Sequence, residues 1–303
     1  MASSAEHDRP YLRVAAAIRK QISSGALRPG QRVPSTRQLV RDFGVAMATA
    51  SRALRVLAEE GLVISHPGSG TIVRPANPVR KDRGTGRELT TGQIVATGIA
   101  VADREGLEAM SMRRLAGELD VAPMSLYRHL AGREELEHLL VRAVFGAHPL
   151  PDPGPEGWRA KLEWVTRLQW RIYRQHPWLP ELVSLTRPIL APEAMAHTEW
   201  TMQALTGLGL SPTEHAREAL TLGSLVRGLA ATAAAETRDE RETGQGTDQW
   251  WTALDAELDH LMASGRYPNL AAAPENAVRD LDGLLEHALT RHLDGLEIRL
   301  HQG

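Results

Sequence analysis

The feature that most constrains this chain is a twenty-residue pattern that occurs twice at a fixed offset. Ser111 to Leu130 reads SMRRLAGELDVAPMSLYRHL, and Ser35 to Leu54 reads STRQLVRDFGVAMATASRAL. Shifted by 76 residues the two align without a gap, with Ser35/Ser111, Arg37/Arg113, Leu39/Leu115, Val45/Val121, Ala46/Ala122, Arg52/Arg128 and Leu54/Leu130 identical. In the later copy Ser111 is placed to cap a helix, and Leu115 and Leu119 give that helix an apolar stripe. Ala116 is small where two helices must cross, Asp120-Val121 supplies a turn, and Leu126 and Leu130 point back inward. That is the packing logic of a helix-turn-helix. One such pattern occurs in many all-helical cores. Two in register predict two modules that grip double-stranded DNA. On the later copy the outward residues Pro123, Met124, Ser125, Tyr127, Arg128 and His129 suit a groove with phosphate walls.

The charge distribution agrees. Residues 1–90 hold 15 Lys and Arg against 7 Asp and Glu, whereas residues 148–303 hold 14 against 22. A basic front on an acidic rear points to a polyanion partner at the front. The chain has no cysteine, which excludes disulfides, thiolate catalysis and cysteine zinc sites. It has no long apolar run and no signal-peptide profile at its start, so a cytoplasmic protein with no membrane contact is expected.

After an expected disordered tail of eight residues, Tyr11, Val14, Ile18 and Ile22 have helical spacing, and Gly25 stops that helix. Ser35 with Gln38 forms a capping box for the next. The first recognition helix is expected from Met47 to about Glu60. Residues 62–66 and 71–74 are β-prone runs joined by Pro67-Gly68-Ser69-Gly70, a hairpin. GALRPGQRVPSTRQLVRDFGV and RALRVLAEEGLVISHPGSGTIV resemble the winged-helix module of the GntR family. The resemblance implies DNA contacts from Arg37, from Met47, Ala48, Thr49 and Ser51, and from His66 and Gly68 at the wing tip. Arg52 and Arg55 remain for phosphates. Ala46-Met47 stands where that family usually has Ser-Arg, so a thioether replaces a guanidinium able to pair with guanine, and an altered or relaxed sequence preference is expected.

Residues 1–75 therefore form an expected winged-helix domain, and residues 76–88 a basic linker rich in proline and glycine. Residues 89–147 contain LTTGQIVATGIAVADREGLEAMSMRRLAGELDVAPMSLYRHLAGREEL, which resembles the N-terminal domain of TetR-type repressors. By that resemblance Ser125, Tyr127 and His129 contact bases or phosphates, Arg113 approaches from the preceding helix, and Arg133 clamps a phosphate. Met112 stands where that family often has threonine or serine.

Residues 148–303 read as helices without a motif: 158–176, 192–208, 212–236, 250–262 and 277–300, with a polar, mobile stretch expected over 237–248. Leu220, Leu222, Leu225, Val226 and Leu229, with Leu281, Leu284, Leu285, Leu289, Leu293 and Leu296, offer apolar area for a homodimer built as a four-helix bundle. The pattern HPWLPELVS, RPILAPEAM, LSPTEHARE and DGLEIRL resembles the C-terminal domain of tetracycline-repressor-like proteins, which implies a small-molecule effector. All seven tryptophans lie after residue 157. Trp170, Trp178 and Trp200, with Tyr173, Met202 and His148, are the candidate lining for a flat, apolar molecule.

Enzyme readings find little support. A winged helix fused to a pyridoxal-phosphate enzyme needs a Schiff-base lysine, and the chain has only Lys20, Lys81 and Lys161, too little length and no strand–helix alternation. No phosphate loop, nucleophile elbow or metal-ligand spacing is present, so no cofactor and no metal are expected. The fold expected is mainly α: a winged helix-turn-helix with a short β-hairpin, a TetR-like helix-turn-helix domain, and an all-α effector-binding and dimerisation domain. The function expected is a ligand-responsive repressor that leaves its operator when its effector binds. The alternative is a DNA-binding protein without effector control.

Overall fold

A computed structural model describes residues 10–66, 70–74, 89–184, 187–274 and 276–302. The expected N-terminal tail, the basic linker over 76–88 and the wing tip at Gly68 lie outside the described residues. The chain divides into two compact units, Met1–Glu137 and His138–Gly303. Both copies of the repeat fall in the first.

That unit begins with α1 (Pro10–Ser23), which buries Val14, Ala15, Ile18 and Ile22. α2 (Thr36–Phe43) starts on the expected capping box: the Ser35 hydroxyl accepts from the Gln38 amide, and the Gln38 side chain accepts from the Ser35 amide. α3 (Met47–Glu59) buries Ala50, Ala53, Leu54 and Leu57 and packs against α1 and α2. Strands β1 (Val63–His66) and β2 (Gly70–Val73) pair antiparallel, with Val63 opposite Val73. An isolated bridge from Arg32 to Ile72 extends this wing. The second copy follows α4 (Thr91–Glu105), which opens on a Thr90/Gln93 capping box. α5 (Met112–Glu118) is capped by Ser111 as the sequence predicts. α6 (Pro123–Leu126) is a single turn, and α7 (Arg133–Gly146) follows it. Leu115, Ala116, Leu126 and Leu130 are buried.

The two turns confirm the register of the repeat. Gly44 ends α2 in the left-handed conformation (φ 63°), and Asp120, 76 residues on, adopts the same region (φ 51°). Asp120 is the one non-glycine with positive φ among the described residues. A short polar side chain tolerates that conformation where most residues do not. A Cβ on Gly44 would meet no atom within 4 Å, so Gly44→Ala isolates the backbone term. It should destabilise the front module by about 1–2 kcal/mol in a denaturant titration, whereas Asp120→Gly should be neutral or stabilising.

The second unit holds the end of α7, then α8 (Trp158–Gln175), α9 (Leu179–Leu182), α10 (Pro192–Ala204), α11 (Pro212–Thr243), α12 (Thr247–Ala263), α13 (Pro268–Ala271), α14 (Asn276–Arg279) and α15 (Leu281–Gln302). Its core joins Leu162 of α8, Leu205, Leu222 of α11, and Leu289, Leu293 and Leu296 of α15. Polar ties run along the edge: Arg159 to Asp294 and Glu297, Arg167 to Glu286, and the Trp170 indole N–H to Asp282. α11 is also held to α15 by Glu218 with His292 and by Glu214 with Arg299.

Three expectations are corrected. α11 runs on to Thr243 and closes at Gly244 (φ 69°), so most of the stretch read as mobile is helical. α10 ends at Ala204, four residues early, because Gly207 and Gly209 both adopt positive φ. Of the residues nominated for a subunit interface, Leu222, Val226, Leu285, Leu289, Leu293 and Leu296 are buried within their own protomer. Leu220 and Leu284 are the ones left well exposed, at 45% and 43%.

Candidate functional site

In the front reader, packing of Ala50, Ala53, Leu54 and Leu57 inward turns the other faces of α3 outward. Met47, Ala48, Ser51 and Arg52 are exposed and Thr49 is half-buried. Arg37 on α2 is exposed as well. The Arg52 guanidinium lies 4.4 Å from the centroid of the Tyr11 ring, which braces it without neutralising its charge. His66 ends β1 opposite Gly70, at the tip end of the wing.

In the second reader, Arg113 and Arg128 are exposed, and Pro123, Met124, Ser125 and His129 are half-buried at the surface. Met112 is buried, so its position contributes packing and no hydrogen bond. Arg133 donates to Glu137 and to the Leu107 carbonyl, contacts that anchor the start of α7. A phosphate clamp at Arg133 would have to share this guanidinium. Arg104, Glu105, Arg114 and Glu118 form an ion-pair cluster beside α5. The Arg114 guanidinium, and Arg104 after it, hold the Glu105 carboxyl down to about 2.

Tyr127 departs from expectation. It is 9% exposed and faces the front module, not solvent. Arg19 of α1 lies over its ring, 5.5 Å from the centroid, and its hydroxyl is buried beside Glu60 without closing a hydrogen bond. Burial, and then the negative charge of Glu60, hold the phenol far above its usual range. Leu126 and Leu130 fix α6 by burying their side chains, and the intervening Tyr127 is carried to the side that meets α1 and the end of α3. Arg19, Glu60 and the Ala131 carbonyl thus form a junction between the two readers. The sequence has no pattern that pairs residues 19, 60 and 131.

In the second unit the aromatic candidates fall into two groups. Around α10, Phe145 of α7 meets the His197 ring edge-on at 5.0 Å, and Trp164 of α8 meets Trp200 at 5.7 Å. The Trp200 indole donates to the Pro151 carbonyl at 3.1 Å, and His148 Nδ1 is 2.9 Å from the Val144 carbonyl. Met202 is half-buried on the same helix. At the C-terminal end of α8, Tyr173 and Trp178 are buried, and Trp178 packs beside His176. Burial pushes the Tyr173 phenol up to about 12, against the opposing charge of Arg227. Trp170 is buried too, but its indole is tied to Asp282, which makes it a strut between α8 and α15.

His197 was missed by sequence reasoning. It is 2% exposed, and its Nδ1 has no hydrogen-bond partner among the described residues. Burial, and secondarily the neighbouring His148, push its imidazole down to about 4. A lone histidine in an alanine- and methionine-containing helix gives no signal of this before packing is known.

Comparison with known proteins bears on both units. The chain matches the gntR family of bacterial regulatory proteins over residues 10–73 and the tetracyclin repressor-like C-terminal domain over residues 150–300. The HTH-type transcriptional repressor DrrR1 of Streptomyces coeruleorubidus is 36% identical over 241 residues, 78% of this chain and 89% of that protein. A histidine utilization repressor of Klebsiella aerogenes is 46% identical over 63 residues, 21% of this chain and 26% of that protein. Among solved structures, the TetR family protein ActR of Streptomyces coelicolor, in complex with actinorhodin, is similar with a TM-score of 0.58 and 29% identity, covering 69% of this chain and 95% of that one. No helix among the described residues is long and apolar enough to cross a membrane. Two helix-turn-helix copies, the wing and the all-helical rear unit agree with these matches: the chain belongs to the tetracycline-repressor-like family of helix-turn-helix transcriptional regulators, with a gntR-family module in front.

Proposed function

We propose that this protein is a cytoplasmic, homodimeric repressor that holds an operator with both of its readers and is released by a flat, largely apolar small molecule. The observation that carries the reading is the pair of helix-turn-helix copies in one register, each with arginines and small polar side chains left outward. The dimer would place α6 of each subunit in successive major grooves of a near-palindromic site, and the front winged helices would lengthen it. The residues assigned to DNA are Arg37, Met47, Ala48, Thr49, Ser51, Arg52, His66 and Gly68 in front, then Arg113, Pro123, Met124, Ser125, Arg128, His129 and Arg133. Tyr127 is assigned to the junction between the readers.

The effector would occupy the aromatic interior of the second unit. Trp200, His148 and Met202 belong to one of its two aromatic groups, Tyr173 and Trp178 to the other, and Trp170 acts as a support. The unpartnered Nδ1 of His197 supplies a polar anchor in an otherwise apolar setting, the composition expected of such a site. Likeness to ActR, whose structure contains actinorhodin, supports a polycyclic aromatic ligand. Binding there would favour a dimer whose readers no longer match one helical repeat, and operator affinity would fall by the ligand's differential binding energy. The protein is a binder, with no reaction assigned to it.

Footprinting of the full-length chain on its own upstream DNA tests this reading. Protection of a near-palindromic site should appear, with outer segments that vanish when Arg37→Ala and Arg52→Ala are combined. Titration with polycyclic aromatic compounds, beginning with actinorhodin, should quench tryptophan emission and release the DNA together. Quenching without release would remove the effector from the mechanism.

A further inference from the structure

From the packing within the first unit, we infer that Arg19 is a positioning residue that docks the winged helix on the second reader, so that the two recognition elements read DNA as one head of fixed spacing. The inference rests on the proposal that both modules read DNA. The geometry is specific. Arg19 Nε and one terminal nitrogen fork onto both Glu60 carboxylate oxygens at 3.2 and 2.7 Å, and the other terminal nitrogen donates to the Ala131 carbonyl at 3.0 Å. The Arg19 and Glu60 side chains are 13% and 11% exposed, so this is an interior pair and not a surface contact.

One guanidinium therefore satisfies a carboxylate of its own module with one edge and a carbonyl of the second module with the other, while its face covers Tyr127. A planar five-donor group can do all three at once, and an ammonium cannot. A second contact supports the same docking. The Arg113 stem lies against Gly61, and a Cβ at Gly132 would sit 3.7 Å from the Arg19 guanidinium. The junction lies at the C-terminal end of α3, and Met47 stands about 18 Å further along that helix. The front reading surface is thereby held at a fixed spacing from the second reader's Arg128 and His129.

The rival arrangement is two independent readers on a string. Residues 75–88 joining the modules could span about 50 Å if extended. That is ample slack for an extra 5 base pairs, about 17 Å of duplex. A docked head has no such slack, and the half-turn also rotates one sub-site away from the other.

The test inserts 5 base pairs between the outer and inner protected segments of the operator and measures affinity for the full-length wild type, Arg19→Lys and Arg19→Gln. Arg19→Lys keeps a positive charge opposite Glu60, which maintains the front module, but loses the third nitrogen that donates to the Ala131 carbonyl. The wild type should lose about a hundredfold on insertion, the low end of what tethering two sites contributes. Both variants should lose less than about tenfold while still protecting both segments. A wild type that tolerates the insertion with both segments protected overturns the fixed head and leaves the two-reader proposal standing. Variants as intolerant as the wild type overturn the role of Arg19. A footprint unchanged by combined Arg37→Ala and Arg52→Ala removes the front reader, and the composite head with it.

Discussion

The full-length chain carrying Arg128→Ala and His129→Ala is expected to bind its operator about a thousandfold more weakly than wild type, with its fold intact. Arg128 is exposed and His129 half-buried on the second reader, and neither holds an element in place. A base or phosphate contact of this kind is worth about 1–3 kcal/mol. Two residues lost from each of two subunits remove four contacts, and even at the low end that is about 4 kcal/mol, three decades in affinity. Loss of the arginine from both subunits should also lower the salt slope of binding by about 2. Fluorescence anisotropy on labelled operator at several salt concentrations reads both quantities. A loss under tenfold would place specificity elsewhere, in the front module. Tyr127 is a poorer target despite its place in the motif. Truncating it would open a cavity beneath Arg19, so any loss of binding would mix reading with docking.

What could be read in advance was local and periodic. The Ser35/Gln38 box and the Ser111 cap stand where a short-range rule puts them. The offset of 76 residues also pairs Gly44 with Asp120, two residue types that share the left-handed turn. What failed was long-range or ambiguous in kind. The polar run Arg238-Asp239-Glu240-Arg241-Glu242 reads as mobile because it lacks apolar periodicity. Arginine and glutamate are good helix formers, and the chain simply continued α11 to its glycine stop. The spacing of the α15 leucines offers all of them to a partner subunit, yet only Leu284 among them stays well exposed. Helical spacing says that a face is buried, not against what, and Leu289, Leu293 and Leu296 meet Leu162 and Leu222 of the same protomer. Tyr127 shows the same limit at the candidate site. Its place beside Arg128 and His129 makes it a groove-facing residue by pattern, and only the docking of α1 on that side, with Arg19 meeting Ala131 112 residues away, covers it.

Between pH 7 and pH 4 the rear unit is expected to lose about 3 kcal/mol of stability through one side chain, His197. Its imidazole falls from 6.5 to about 4 on folding, chiefly because burial disfavours the cation. The unfolded chain takes up a proton near pH 6.5, and the folded chain resists until about 4. Protonation therefore favours the unfolded state throughout that window: the full contribution is present above pH 6.5 and disappears as the pH falls to about 4. Paired carboxylates act lower down. Glu214, held down to about 2 by hydrogen bonds from Ser211 and by Arg299, loses its contribution only below its ordinary value of 4.5. The two effects thus separate by pH. Thermal or urea unfolding followed by tryptophan emission, which comes from this unit alone, should show the decline at pH 5. His197→Leu should flatten the curve from pH 7 to pH 5 while leaving the steeper acid limb in place. At pH 7 the variant should be close to neutral, since it removes a buried nitrogen that has no partner to abandon. If the imidazole is retained to hold an effector, the same substitution should weaken ligand-induced release from DNA without changing operator affinity in the ligand's absence. A variant that keeps the wild-type slope between pH 7 and pH 5 would show that His197 is already solvated in the folded state, and would remove it from the interior of the effector site.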